Sequence, residues 1–473
     1  MICGNKPFHV LASIAASSLF FGIHPAAARA SKAVAVEARF KDRISSKLDV
    51  ALRDATASLA WFLDVSSSAS RASPTESEGV FAPFYELDIA TATWRSKCEL
   101  DIDTTRDSIP HCVIHKLQAL TALCQSPGAA SKFSPGIKRL LRRFMVKRDK
   151  VLVGLGMKRA MLPIGNGLEV WMSEMTPKSG RFDVVVPAHA AATLALVQCS
   201  TALKEPQYLE IAEAWFASIE KAWPQSSWSQ SSFHLNSILL ESFVRMATVI
   251  RKGSSFHDEL TKFIGRFEVH LHNDFWQSAS TWSFSGAHAT VLAWQGEKKK
   301  TKRKTLAKLI AEYERRWLAI APTLNATESY TCGPMQGVAS LLLKPSSNAA
   351  SMVQHLLTTV EKDVDRYQVT FDDHTASIAA TRLSESIRLK FGDALQGSFL
   401  RDDQQLAAEK RYSLRIDDVS QCVVALTRTL ELLDTLVGVE VDTQSEDDEG
   451  SNDVPETYAA SALDSTEPTK AEL

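Results

Sequence analysis

The sequence lacks the short motifs that mark several large classes of enzyme and metal protein. No G-x-x-x-x-G-K-[ST] or G-x-S-x-G string occurs in its 473 residues, which argues against a P-loop enzyme and an α/β-hydrolase. There is no H-E-x-x-H motif and no C-x-x-C pair, so a zinc ribbon and a thioredoxin-like redox motif are excluded. Gly154-Leu155-Gly156 is a lone G-x-G without the third glycine of a dinucleotide-binding loop.

Charge of one sign and long apolar runs are also missing. The formal net charge is -2 and 45% of the residues are hydrophobic, which excludes a collagenous, low-complexity or wholly disordered chain. The overall basic bias of a nucleic-acid-binding protein is absent, so no nucleic-acid partner is expected. No segment approaches 18 consecutive apolar residues, and we therefore expect no membrane span once the N-terminal segment is removed.

The two ends of the sequence differ from its middle. Residues 1–30 resemble a secretory signal peptide, with Lys6, a short apolar stretch over 11–23 and the cleavage signal Ala28-Arg29-Ala30. The alternative is a buried or anchoring N-terminal helix. Residues 440–473 carry eleven acidic residues against one lysine, which predicts a disordered acidic tail.

Removing both ends leaves residues 31–439, which we predict to be one domain. This body carries 50 basic and 44 acidic residues, a net charge of +6. Such a balance tolerates an anionic substrate without requiring one. The basic run 298–304 is interpreted as a solvated loop between helices.

Six cysteines remain after removal of the signal peptide, and an even number in a secreted chain allows disulfides. Cys98 and Cys112 flank a polar segment and form the predicted pair. Cys124, Cys199 and Cys422 lie within apolar helical patterns, where we expect buried free thiols. Asn325-Ala326-Thr327 is a potential N-glycosylation sequon.

Helical periodicity dominates the body and predicts an all-α fold. Strand signals are short, the best being 182–186 and 398–401, and residues 65–80 form a Ser-rich loop. The predicted helices are 34–63, 112–124, 136–151, 187–203, 206–223, 233–251, 256–272, 286–294, 305–320, 334–343, 349–364, 373–389 and 416–437.

The predicted helices alternate between an apolar type and a longer type with one charged face. Paired inner and outer helices at a period of roughly 40 to 50 residues indicate an α-solenoid or a closed α/α toroid. A histidine or glutamine recurs near the start of successive inner helices: His189, His234, His288, Gln336 and Gln421.

The helix alternation and three local strings resemble the six-hairpin (α/α)6 toroids of carbohydrate-active enzymes and sugar epimerases. The strings are Glu328-Ser329-Tyr330-Thr331-Cys332-Gly333-Pro334-Met335-Gln336-Gly337, Gly397-Ser398-Phe399 and Arg415-Ile416-Asp417. The resemblance covers roughly 81–437. It implies a single (α/α)6 toroid with short β elements in its loops, whose inner-helix starts line a funnel.

Carboxylates near those helix starts are the candidate acids and bases of a glycosidase-like reaction, which needs one protonated and one ionised carboxyl group. We predict Asp183, Glu328 and Asp417 as catalytic residues. For Asp183 and Asp417 the alternative is simple N-capping of a helix. The predicted substrate-binding residues are His189, His234, Trp282, His288, Tyr330, Gln336, Asp402, Arg415 and Gln421. Arg415 could instead pair with Asp417.

The leading interpretation is a secreted or lumenal glycoside hydrolase, lyase or sugar epimerase that requires no cofactor and no metal. A different class remains open, namely a non-catalytic helical-repeat protein with a concave protein-binding face. A third hypothesis is a toroid that modifies peptides or lipids with a bound metal, on which His189, His234 and His288 converge.

Overall fold

A computed structural model of the chain describes the following residues: 35–65, 86–89, 93–95, 108–142, 157–161, 169–174, 182–184, 186–222, 233–249, 258, 261, 287–326, 332–342, 349–371, 383, 385–401 and 413–439. The predicted signal peptide, the acidic tail and the Ser-rich loop beyond residue 65 lie outside these ranges.

Helices make up most of the described residues, which confirms the predicted mainly helical fold. In chain order they are α1 Ala38–Phe62, α2 Ser108–Gln125, α3 Ala129–Lys132, α4 Val186–Leu203, α5 Pro206–Ala222, α6 Phe233–Val249, α7 Ala287–Gly296, α8 Lys300–Ala326, α9 Cys332–Leu341, α10 Ala349–Tyr367, α11 Glu385–Phe391 and α12 Ile416–Thr435. A 3-10 turn over Gly392–Leu395 follows α11. Among these described helices, none is both long enough and apolar enough to cross a bilayer.

Most predicted helices start within a few residues of the observed ones. One exception is the predicted helix 373–389, whose described counterpart α11 begins at Glu385. The other exception is α8. It begins at Lys300, five residues before the predicted start, so much of the basic run lies in its first turns rather than in a loop. Lys298, Lys299, Lys300, Arg303 and Lys304 are exposed, as a solvated segment requires.

Short strands form three small sheets beside the helices. Strand β1 (Ala35–Glu37) pairs in parallel with β9 (Val437–Val439), which joins the first and last described elements. A second sheet has the order β3 (Thr93–Arg95), β2 (Glu86–Asp88), β8 (Ser413–Arg415), β7 (Leu400–Arg401), and all its pairs are antiparallel. The third is the antiparallel meander β4 (Met157–Met161), β5 (Glu169–Glu174), β6 (Phe182–Val184).

The helices pack in two groups. Helices α2, α4, α6, α7, α9 and α12 contact one another in the pairs α2–α4, α4–α6, α6–α7, α7–α9, α9–α12 and α12–α2. The others lie against these: α5 on α4, α8 on α7 and α9, α10 on α9 and α12, and α1 on α12 and α2.

The burial of side chains follows the same two groups of helices. The apolar helix α4 is buried along nearly all its described length, while α8 buries Tyr313 and Trp317 and exposes its charged face.

Two disulfides connect neighbouring helices of the first group. Cys124 of α2 bonds to Cys199 of α4, and Cys332 of α9 bonds to Cys422 of α12. The predicted free thiols at Cys124, Cys199 and Cys422 are therefore wrong. Each of these cysteines does lie in an apolar helical stripe, but the stripe faces another helix whose own cysteine comes within bonding distance. Cys98 of the predicted pair Cys98–Cys112 lies outside the described residues.

The segment that precedes β7 packs tightly on α1. Gly397 has φ +82°, and a Cβ atom there would lie 2.2 Å from the backbone carbonyl carbon of Asp54 and 2.6 Å from the backbone nitrogen of Ala55. The Gln368 side chain donates to the carbonyl oxygen of Ala51 at 2.8 Å, and the Ser58 and Ser398 hydroxyl groups lie 2.6 Å apart. Glycine is therefore required at position 397 for both its backbone conformation and its lack of a side chain.

Replacing this glycine should destabilise the fold strongly. We expect Gly397→Ala to lower the free energy of unfolding by about 2–4 kcal/mol, because a left-handed conformation and an overpacked contact add their costs. The free energy is measured by urea denaturation.

Two other glycines supply matched controls for that measurement. Gly128 has φ +72° but open space around its Cβ position, so Gly128→Ala should cost only about 1 kcal/mol. Gly296 has open space and no such φ, so Gly296→Ala should change stability little. Equal losses in all three variants would contradict the close packing of Gly397 on α1.

The disulfide between α9 and α12 closes a loop of 90 residues along the sequence. Cys332→Ala combined with Cys422→Ala should therefore lower the free energy of unfolding by about 4–5 kcal/mol, since the unfolded chain gains the entropy of an open loop. Urea denaturation of the double variant measures this loss. The Cys124→Ala, Cys199→Ala variant, which opens a loop of 75 residues, should lose a similar amount. Unchanged midpoints would show that the bonds do not constrain the chain in solution.

Candidate functional site

Side chains from four helices meet at one carboxylate oxygen. Glu241 Oε1 of α6 accepts hydrogen bonds from Gln125 Nε2 of α2 at 3.3 Å, from Arg245 Nε of α6 at 3.3 Å and from Arg428 Nη2 of α12 at 3.4 Å. His288 Nε2 of α7 lies 3.4 Å from the same oxygen. We call these five residues, together with Ser340 of α9, the Glu241 cluster.

The helical period of the sequence brings these polar residues onto shared faces. Glu241 and Arg245 are one turn apart on α6, and Gln336 and Ser340 are one turn apart on α9. Gln421 and Arg428 are seven residues apart on α12, which is two turns, so they also share a face. Each of these helices therefore carries polar residues along one shared face.

The contacts of Glu241 show where these stripes point. Among the described elements, α6 packs mainly against α4 and α7, whereas α2 and α12 are not among its main packing partners. Glu241 nevertheless bonds to Gln125 on α2 and Arg428 on α12. Long side chains from helices that do not pack together can meet only in the space between them. The Glu241 cluster therefore occupies a space shared by α2, α6, α7, α9 and α12.

The hydrogen bonds of His288 define its tautomer. Arg245 Nη2 can only donate, and it lies 2.9 Å from His288 Nε2, so Nε2 accepts this bond and carries no proton. The proton is therefore on Nδ1, which donates to Ser340 Oγ at 2.7 Å. The Ser340 hydroxyl group can then donate to the carbonyl oxygen of Gln336 at 3.4 Å. In this arrangement the approach of His288 to Glu241 is a close contact between a neutral imidazole and a carboxylate, and not an ion pair.

Burial and charge keep His288 neutral. Burial, assisted by the positive charges of Arg428 and Arg245, lowers the pKa of His288 well below its ordinary value. Burial also lowers the pKa of Arg428 to about 10, which leaves its guanidinium charged at neutral pH. Arg428 is further fixed by a 2.7 Å bond from Nη1 to the carbonyl oxygen of Gln336. The cluster thus combines two guanidinium groups, one carboxylate and one neutral imidazole.

The Ser340, His288 and Glu241 side chains are not arranged as a nucleophilic triad. A general base must accept the serine proton, but His288 donates its own Nδ1 proton to Ser340. Ser340 is fully buried, with no exposed surface from which to attack a substrate. Among the described residues there is likewise no group of three or more histidine, cysteine, aspartate or glutamate side chains that could hold a metal ion. The described geometry makes His288 a positioning residue for Arg245.

Two of the predicted substrate-binding residues belong to this region. His288 is in the cluster itself, and Gln336 supplies the carbonyl oxygen that binds Arg428. Gln421 lies on the same face of α12 two turns nearer its N-terminus. It is 7% exposed, and its Oε1 has no hydrogen-bond donor among the described residues. A buried amide oxygen without a donor can accept a hydrogen bond from a bound hydroxyl group.

The beginning of α12 places Arg415 directly against Asp417. Arg415 Nε donates to Asp417 Oδ1 at 3.1 Å and Arg415 Nη2 donates to Oδ2 at 2.9 Å, a bidentate ion pair. The predicted pairing of Arg415 with Asp417 is therefore observed. Asp417 is not an N-cap, because the helix begins at Ile416 and Arg415 is the capping residue, without a side-chain cap bond. Asp417 is instead a buried carboxylate in the first turn of the helix.

Other predicted residues are described only by their backbone or not at all. Asp183 lies in β6 opposite Ser173 of β5, and not at a helix N-cap. His189 is in the first turn of α4 and His234 in the first turn of α6, where the sequence placed them. The remaining candidates lie outside the described residues: Trp282, Glu328, Tyr330 and Asp402.

The sequence interpretation missed the central members of the cluster, namely Gln125, Glu241, Arg245, Ser340 and Arg428. Glu241 and Arg245 form an i,i+4 pair that is normally a feature of exposed helix faces. The signal that could have found them is their spacing from predicted residues. Glu241 lies seven residues after His234, and Arg428 lies seven residues after Gln421, so each shares a helix face with a residue already singled out.

The neutral state of His288 predicts how stability depends on pH. In the unfolded chain this histidine takes up a proton near pH 6.5, whereas in the folded protein it resists protonation. Since the unfolded state then binds more protons, stability should fall as the pH drops below about 6.5, with a slope of at most about 1.4 kcal/mol per pH unit. Thermal unfolding between pH 7.5 and pH 5 measures this loss.

The variant His288→Gln isolates the contribution of this side chain. Glutamine retains an acceptor for Arg245 and a donor for Ser340 but does not titrate, so its melting temperature should fall less between pH 7.5 and pH 5. His355 of α10, a half-buried histidine outside the cluster, supplies the matched control His355→Gln. Equal pH slopes for the parent and His288→Gln would contradict the neutral assignment.

Comparison with known proteins does not assign this geometry to a family. No protein-family model matches the chain, and no curated protein or solved structure matches it either. The chemistry of the site is therefore inferred from its own residues and their contacts.

Proposed function

We propose that this chain is a secreted or lumenal α/α toroid that binds a carbohydrate in its interior and acts on it as a hydrolase, lyase or epimerase. The order of helix contacts supports the toroid. The series α2, α4, α6, α7, α9 and α12 returns to α2, and α5, α8, α10 and α1 pack on its outside. This order supports the alternation of inner and outer helices that the sequence predicts.

The observation that carries the proposal is the convergence of donors from α2, α6 and α12 on Glu241, with the His288 ring of α7 beside them. The six inner helices of a toroid face a common interior, and polar side chains there need partners or a ligand. The side chains of Glu241 and Arg245 keep 15% and 16% of their surface exposed although they point toward other helices. This residual exposure supports an interior that a polar small molecule can reach.

The helix starts supply the groups that a sugar requires. Gln421 offers an amide oxygen with no donor among the described residues, and Asp417 offers a carboxylate in the first turn of the same helix. The bidentate contact with Arg415 favours the ionised form of Asp417, which suits a base or nucleophile. Glu328 is then the candidate acid, placed by sequence alone, and Asp183 the alternative.

The proposed compartment rests on two observations. The disulfides Cys124–Cys199 and Cys332–Cys422 are typical of an oxidising compartment. The segment 1–30 resembles a secretory signal peptide in its sequence.

Activity on a panel of neutral and charged polysaccharides and oligosaccharides tests the proposal. Glu328→Gln and Asp417→Asn should each lower turnover by at least about a hundredfold, because each removes one of the two carboxyl groups of the reaction. Asp365→Asn, at a half-exposed carboxylate that pairs with Lys47 on the outside of the protein, should leave turnover unchanged.

Circular dichroism and thermal unfolding show whether each variant is folded. Should Asp417→Asn lose its structure with the Arg415 ion pair, Glu328→Gln alone decides the question. Absence of both binding and turnover across the panel would overturn the proposal and favour the non-catalytic helical-repeat protein. Full turnover in folded Glu328→Gln and Asp417→Asn would remove these residues from the mechanism.

A further inference from the structure

We infer that Arg245 and Arg428 form a binding site for an oxyanion, a carboxylate or a sulfate, on the ligand of the helical interior. The inference deepens the proposed function, on which it rests, by naming the substrate class as an anionic carbohydrate. It stands on the charges, the hydrogen-bond donors and the accessibility of the Glu241 cluster.

The charges of the cluster do not balance. Two guanidinium groups share the single carboxylate of Glu241, and His288 is neutral by its hydrogen bonds. Glu431 of α12 acts electrostatically on both Arg428 and Arg245, but it forms no hydrogen bond or ion pair with either among the described residues. Charges inside a protein are normally paired, and an unpaired one costs several kcal/mol. Among the described residues, the two guanidinium groups therefore share one carboxylate in direct contact, that of Glu241.

The hydrogen-bonding capacity of the two arginines is not used up. Arg245 donates from Nε to Glu241 and from Nη2 to His288, and Arg428 donates from Nη1 to Gln336 and from Nη2 to Glu241. Arg245 Nη1 and Arg428 Nε have no acceptor among the described residues. The bonds to Glu241 are long, at 3.3 and 3.4 Å, because one oxygen serves three donors. An additional acceptor would satisfy these groups better than Glu241 alone.

The position of Arg245 is fixed on one side and open on the other. Glu241 holds its Nε and His288 holds its Nη2, so the planar guanidinium cannot rotate freely. Its side chain is 16% exposed, against 6% for Arg428, and it lies in the space between helices. The Nη1 edge is therefore the part available to a ligand. A fixed guanidinium edge matches the two oxygens of a carboxylate or a sulfate group.

The amides around the two arginines fit the rest of a sugar. The side-chain amide of Gln125 donates to Glu241, and the backbone carbonyl of the half-buried Gln336 accepts from Arg428. Amide groups both donate to and accept from hydroxyl groups, which suits the remainder of a sugar ring. A carbohydrate that carries a carboxylate or a sulfate combines both kinds of group, whereas a neutral sugar would leave the second guanidinium charge without a partner.

Matched pairs of ligands test this inference on the purified protein. Galacturonate and its oligomers are compared with galactose and its oligomers, and glucose 6-sulfate is compared with glucose, by isothermal titration calorimetry at pH 7. At least one anionic member should bind about tenfold more tightly than its neutral counterpart, the range expected for a charge-assisted contact. Preference for the uronate identifies a carboxylate site, and preference for the sulfated sugar identifies a sulfate site.

Substitutions of the two arginines connect the preference to the cluster. Arg245→Gln should remove most of the tenfold preference, and Arg428→Gln should do the same if it folds. Because Arg428 is buried, Arg245→Lys provides a milder test: it retains the charge, loses the planar fork and should keep only part of the preference. Arg303→Gln, at an exposed arginine at the start of α8, should leave the preference intact.

The possible results separate this inference from the proposed function. Equal binding of the neutral and anionic sugars would overturn the oxyanion site while supporting a carbohydrate interior. A preference for anions that persists in Arg245→Gln and Arg245→Lys would also overturn it, since the anion would then bind elsewhere. Binding of anionic sugars without turnover of any glycan would support the site and contradict the enzymatic proposal.

Discussion

The carboxylate of Glu241 is the constraint on which the arrangement of the helices most depends. Two buried or partly buried arginines and a glutamine, from three helices, meet at one of its oxygens. Removing a partner from a buried ion pair typically costs about 3–5 kcal/mol, because the remaining charge stays desolvated. Apolar side chains can shift past one another at little cost, but these donors must come within about 3.4 Å of one oxygen. The polar contacts therefore specify how far each helix extends into the shared space, while apolar burial supplies most of the stability.

The disulfide between α9 and α12 and the arginine network support the same alignment. Cys332 is the first residue of α9 and bonds to Cys422 near the start of α12, and Arg428, further along α12, bonds to Gln336, further along α9. The second contact lies closer to the C-terminus than the first on both helices. The two helices must therefore run in the same direction. The covalent bond fixes their relative height, and that height lets Arg428 reach both Gln336 and Glu241.

Local patterns in the sequence were sufficient to predict where the helices lie but not which residues of other segments they contact. The period of apolar residues predicted α4, α5, α6 and α12 closely, because the stripe that a helix buries is written in its own residues. A cysteine in such a stripe, such as Cys199, looks the same whether it faces leucine or another cysteine, so the disulfides were missed.

The i,i+4 pair Glu241 and Arg245 resembles an exposed pair for the same reason, since the sequence does not show which residues of other helices it meets. The pairing of β1 with β9 joins segments about 400 residues apart, which no local pattern can indicate. His288 was found because its position recurs at helix starts, whereas its role depends on Arg245 and Ser340, which lie on other helices.

The neutral state of His288 explains why the cluster contains two positive guanidinium groups but only one carboxylate. A network that served stability alone would gain from a second carboxylate in place of His288, since two arginines would then have two partners. An imidazole at this position instead accepts a bond from Arg245 without neutralising it, and its own proton is used by Ser340. His288 thus orients the Arg245 guanidinium without neutralising its positive charge. A positive group that is fixed in direction and incompletely paired is expensive for the folded protein, and such local costs are concentrated at functional sites. The same imbalance that destabilises the fold would strengthen the attraction for an anion, so stability and binding are coupled through Arg245.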